Sequence, residues 1–163
     1  MTDVDTLLSP LADQARGLSP PEIAEIERDQ PAPLPAAYRR FLEIAGRGAG
    51  GLLVGSDVFH PAATVGRSSI LGVGQAARDL LAENDVPFAL TENDRVILMH
   101  QGYMFDFLRG AGPDPEVWSY CEGDDLPAAR CAHFTEWLAA AVAESSVRTS
   151  AEPTSLRPGG CPA

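Results

Sequence analysis

The spacing of apolar residues changes along this chain, giving helical ends around a strand-rich middle. Leu34, Tyr38, Phe41, Leu42 and Ala45 recur at helical spacing, which predicts a helix beginning at Pro35 and stopped by Gly46. Ahead of it, Ser19 and Glu22 have the spacing of a capping box, with Pro20 in the first helical position. Leu18 and Ile23 are placed as the hydrophobic staple of that cap, and Ile26 extends the same face. This helix should end before Pro31-Ala32-Pro33. Residues 1–17 carry a weaker helical pattern in Leu7, Leu8, Leu11 and Ala15. Later, 75–84 reads as a helix with Ala76, Ala77, Leu80 and Leu81 inward. Residues 134–144 read as another, with Phe134, Trp137, Leu138, Ala141 and Val142 on its face.

In the middle the period shortens to two. Residues 96–100, 103–108 and 117–121 have strand composition. Tyr103, Phe105 and Phe107 alternate with Met104, Asp106 and Leu108, the pattern of a strand with one packed face. Gln101-Gly102 leaves room only for a tight hairpin, so the sheet should be mostly antiparallel. Shorter strands are expected at 52–54, near Val58 and at 87–91, while 61–73 reads as a long loop. Strands clustered between helices predict an α+β fold, a single mostly antiparallel sheet flanked by helices. The expected organisation is an N-terminal helical extension at 1–17, one domain at 18–145 and a flexible C-terminal tail at 146–163.

Charge sharpens this picture. The chain of 163 residues has 12 basic and 23 acidic side chains, a net −11. Nine acidic residues against two arginines fall between Asn84 and Asp125. Such a balance disfavours direct binding to a nucleic-acid backbone and suits a basic partner. Acidity that only maintains solubility is the ordinary alternative. Every basic residue is arginine, which excludes a Schiff-base lysine, a P-loop lysine and a Ser–Lys pair. No signal peptide or membrane span is evident, and three irregularly spaced cysteines suit reduced thiols. These features lead to the expectation of a cytoplasmic protein.

Several motifs tempt a chemical reading. Gly46, Gly48 and Gly51 satisfy G-x-G-x-x-G, but between a predicted helix and strand, the reverse of the dinucleotide order. Gly72, Gly74 and Ala77 fit the looser version without a convincing strand before them. His60, His100 and His133 are isolated; as a general base, His100 would need Asp106 across the hairpin. Cys121, Cys131 and His133 do not have zinc-finger spacing, and no metal or cofactor is expected. Asp114, Glu116, Glu122, Asp124 and Asp125 can be a solvated rim or a docking surface for a basic protein. Cation binding is disfavoured, since their spacing fits no EF-hand loop. Trp118 and Tyr120 share a strand face; such residues are usually core, yet they also anchor interfaces.

Taken in order, Ile23 and Glu27, Leu34-Pro35 with Tyr38, Phe41 and Leu42, and the Gly50-Gly51 step resemble the SUKH superfamily, the Smi/Knr-like domain. The strand from Val96 to Met99, Gln101-Gly102-Tyr103, Phe107, the Pro115-x-Val117-x-x-Tyr120 strand and Phe134 to Leu138 continue the resemblance, over roughly 18–143. It implies an α+β domain without a catalytic motif. It also implies a bacterial immunity protein that neutralises a toxin, often a nuclease, or else a regulatory or scaffold module of the same fold. The resemblance assigns no binding residues. Charge and exposed-aromatic reasoning single out Asp106, Asp114, Glu116, Trp118, Tyr120, Glu122, Asp124 and Asp125 as the partner-binding set. A small enzyme built on His100 and Asp106 is the third alternative.

Overall fold

The computed structural model describes residues 3–28, 30, 32–59 and 70–150. A five-stranded antiparallel meander forms its centre: β3 (Ser56–Asp57), β4 (Arg95–His100), β5 (Met104–Arg109), β6 (Glu116–Cys121) and β7 (Ala128–Cys131), paired in chain order. Residues Ala15–Arg16 (β1) and Gly48–Ala49 (β2) form a separate antiparallel pair. The helices are α1 (Val4–Leu8), α2 (Pro20–Arg28), α3 (Ala36–Ala45), α4 (Ile70–Glu83) and α5 (Phe134–Ser150), with a 3-10 segment at Ser9–Gln14. The α+β class and the antiparallel sheet match the sequence expectation.

The sheet is covered on both faces, not one. On one side Val96, Met99, Phe105, Phe107 and Tyr120 pack against Val73, Ala77, Leu80 and Leu81 of α4. On the other, Leu98, Leu108 and Val117 join Phe134, Trp137 and Leu138 of α5 and the N-terminal helices. The register skips between Val96↔Phe107 and Leu98↔Asp106, a bulge that places both Ile97 and Leu98 in the second core. Val4, Leu8 and Leu11 also lie in that core, so residues 4–11 pack with the rest.

Local chemistry explains the connections. Gln101 (φ 48°) and Gly102 (φ 82°) both take the left-handed conformation, and the Tyr103 amide donates to His100 O at 3.1 Å. This is the expected tight hairpin. Gly46 ends α3 at an ordinary helical φ of −58°, so a left-handed stop is not its role. A Cβ there would lie 2.6 Å from Leu42 O and 2.7 Å from Leu18 Cγ, so close approach is what requires glycine.

Several boundaries differ from those expected. Residues 52–54 form turns, and the edge strand begins at Ser56. Residues 87–91 join no ladder; Phe88 instead packs on Phe107, with ring centroids 6.0 Å apart. Helix α4 starts at Ile70, inside the expected loop, while 61–69 and His60 lie outside the described residues. Helix α5 continues to Ser150, through the expected start of the tail, and 151–163 lie outside the description.

Candidate functional site

Strand β6 separates the predicted binding residues instead of gathering them. Asp114 and Glu116 lie at its beginning, Glu122, Asp124 and Asp125 beyond its end, about 17 Å apart for a six-residue strand. At the first end, Asp114 is half-buried. Its Oδ1 accepts from the Thr135 amide at 3.0 Å and its Oδ2 from the Thr135 hydroxyl at 2.6 Å. It therefore satisfies donors at the start of α5. Glu116 is exposed and accepts from Trp118 Nε1 at 2.9 Å. Trp118 is half-buried, and the Arg109 guanidinium lies 4.9 Å from the centroids of both Trp118 and Phe88.

Two predicted contact residues are interior. Tyr120 has no exposed surface and packs on Phe105 at 5.6 Å. Burial, followed by the negative charges of Asp124 and Glu122, pushes its phenol pKa up. The period-two alternation holds, but a helix covers the face expected to be open. Asp106 is also fully buried: Oδ2 accepts from Trp137 Nε1 at 2.8 Å and from Arg130 at 2.7 Å.

At the far end, Glu122, Asp124 and Asp125 are exposed in the β6–β7 turn. The turn is anchored by Glu122 N donating to Tyr103 O at 2.8 Å and Cys121 N donating to Asp124 Oδ2 at 3.1 Å. No cationic side chain forms a salt bridge with these three acids among the described residues. Beside the turn opens a cleft of about 360 Å³ between the sheet, the 51–56 turns and α5. Leu98, Met104 and Asp106 line its sheet side, Trp137, Glu144 and Arg148 its helix side, with His100 and Tyr103 toward the hairpin.

The cleft contains His100 and Asp106, but they do not form a catalytic pair. His100 Nδ1 shares a 2.8 Å hydrogen bond with Ser56 Oγ, tying edge strand β3 to β4, while Asp106 engages Trp137 and Arg130. The Ser56–His100 pair thus lacks a carboxylate to orient the imidazole as a base. Cys131 borders the same cleft, its thiol pKa pushed up chiefly by burial. Cys121, Cys131 and His133 form no metal-binding group with other His, Cys, Asp or Glu side chains among the described residues. The looser glycine motif falls inside α4, and the first spans the end of α3 and β2.

Four large apolar side chains are exposed among the described residues: Val54, Tyr103, Leu126 and Val147. Val54 and Tyr103 line the cleft, and Leu126 follows the acidic turn. Apolar contact area and uncompensated negative charge therefore meet at one end of the sheet.

The model for the SMI1 / KNR4 family (SUKH-1) matches residues 17–140. The chain belongs to this family. No curated protein and no solved structure matches it. The SUKH-1 match spans the sheet and acidic turn and stops inside α5, leaving Glu144 and Arg148 of the cleft wall beyond it. Among the described residues, no helix is long and apolar enough to cross a membrane.

The sequence pattern does not reveal Arg130, because β7, Ala-Ala-Arg-Cys, lacks the aromatic or β-branched residues that announce a strand. It does mark Trp137 as buried. The bond from Trp137 to Asp106 depends on α5 crossing the sheet, which helical periodicity alone does not specify.

Proposed function

We propose that this SUKH-1 protein is a non-catalytic immunity protein of the cytoplasm that binds a basic toxin, nuclease-like in its substrate site, and blocks access to it. Family membership is consistent with such a role. The observation carrying the assignment is the convergence of exposed Val54, Tyr103 and Leu126 with Glu122, Asp124 and Asp125. Exposed apolar side chains supply an interface core, and a negative rim steers a basic partner toward it. Three carboxylates can occupy positions that a toxin reserves for substrate phosphates. Glu116 and Trp118, at the opposite end of β6, stand outside this surface.

Toxicity rescue tests the proposal. Co-expressed with a toxin encoded beside its gene, the protein should restore growth, and the two purified proteins should form a complex. Replacing Glu122, Asp124 and Asp125 by Gln, Asn and Asn should slow association and flatten its salt dependence, because rim charges act mainly on the on-rate. Rescue and association unchanged in that variant would remove the acidic turn from the mechanism. Capture of an endogenous non-toxin partner, without rescue, would favour the regulatory or scaffold role.

A further inference from the structure

Asp106 is an unusual residue to find on this cleft. Its side chain is fully buried, yet Oδ1 has no hydrogen-bond partner among the described residues. A carboxylate can accept about four hydrogen bonds, and Trp137 and Arg130 provide two, both to Oδ2. The charged partner, Arg130, is half-exposed on edge strand β7, where its guanidinium can exchange the carboxylate for water. The fixed partner is the Trp137 indole.

The geometry points to Asp106 as the receptor for an arginine side chain supplied by the protein partner, entering the cleft as Arg130 swings outward. This deepens the immunity reading and rests on it for the identity of the partner. Within the lining Asp106 and Glu144 balance Arg130 and Arg148, so what favours a cation is the open Oδ1 of Asp106, together with the acidic turn that the Glu122 amide ties to Tyr103. Shape and chemistry favour a guanidinium over an ammonium. Tyr103 and His100 provide flat rings toward the hairpin, and a planar fork can stack while donating to a carboxylate. Glu144 is already paired with Arg148 at 2.6 Å, which leaves Asp106 Oδ1 as the unfilled acceptor.

The two tryptophans provide a built-in test. In the 15N-labelled full chain, methylguanidinium chloride should produce a saturable shift of the Trp137 indole resonance, whose N–H is held by Asp106. The Trp118 indole, bonded to Glu116 at the other end of the sheet, should not move, and matched sodium chloride should move neither. Arg130→Gln removes the competing guanidinium and should tighten binding roughly tenfold, the scale of one charge-assisted hydrogen bond. Asp106→Asn should abolish it. A capped Gly-Arg-Gly peptide should bind more tightly than free arginine, whose α-carboxylate would face the acidic turn.

Absence of a saturable shift, equal movement of both indoles, or weaker binding by Arg130→Gln would overturn the assignment. Preference for free arginine would overturn the protein side chain as the occupant. Because the probe needs no toxin, a silent cleft with intact toxicity rescue refutes the Asp106 site alone. A responsive cleft without rescue refutes the immunity function and its protein-arginine occupant, leaving only a guanidinium site.

Discussion

Asp106 lies on the central strand β5, on the face that α5 covers, and the fold encloses its side chain. Replacing it with alanine leaves Trp137 Nε1 buried without its acceptor, while half-exposed Arg130 can return to water. The expected loss is therefore that of a hydrogen bond to a charged group, about 1–3 kcal/mol, below the value for a wholly buried ion pair. Urea unfolding of Asp106→Ala should show it as a lower midpoint, and an unchanged midpoint would mean the indole had found another acceptor. Glu22 provides a pH-dependent counterpart. The backbone and then the side-chain hydrogen bond from Ser19 hold its carboxyl down at about 2, with Arg47 adding to the effect. A depressed carboxylate pKa stabilises the fold fully above the ordinary value of 4.5 and loses that contribution as pH falls through about 2. Glu22→Gln should lower the unfolding midpoint near neutrality and flatten its fall across that window. Equal acid dependence in both proteins would contradict the linkage.

The N-terminus of α5 shows how one charge can be mistaken for part of a binding surface. Asp114 belongs by sequence to an acidic cluster, but it bonds to the Thr135 backbone and hydroxyl. Asp114→Ala should cost about 0.5–2 kcal/mol, the range for losing a helix cap, and leave association with a basic partner nearly unchanged. Thermal unfolding and binding kinetics of this variant would separate the roles, since slowed association at full stability would place Asp114 in the interface. Elements with one strong period are legible in the amino-acid pattern alone: the α3 stripe, the β4–β5 hairpin and the buried face of α5. Segments whose pairing depends on tertiary neighbours are not. Residues 87–91 have strand composition but join no ladder, Phe88 packing instead on Phe107, whereas Ala128–Cys131 have little strand composition and are drawn in beside β6. The predicted binding set divides into interior and exposed members for the same reason. Alternation identifies which residues share a face, but the α4 packing that buries Tyr120 links distant parts of the chain.

Across the molecule, paired and unpaired charges occupy different places. Arg39 and Arg40 tie α3 to Glu27 of α2 and Asp5 of α1 while also meeting Glu43 on α3 itself, and Arg47 meets Glu22, so three of the twelve arginines are committed around the N-terminal helices. The β6–β7 turn has three acids and no ion-pair partner among the described residues, an arrangement that adds repulsion to the isolated fold. Neutralising Glu122, Asp124 and Asp125 as Gln, Asn and Asn should therefore leave the protein as stable as before or slightly more so, within about 0.5–1 kcal/mol. Any gain should be largest at low ionic strength, where the repulsion is least screened. Asn at position 124 preserves an acceptor for the Cys121 amide, so the experiment reads charge and not loss of the turn. Calorimetry at low and high salt makes the comparison. A marked loss of stability would show that these acids hold the turn together, whereas unchanged or increased stability alongside slowed association would place their value in the partner they attract.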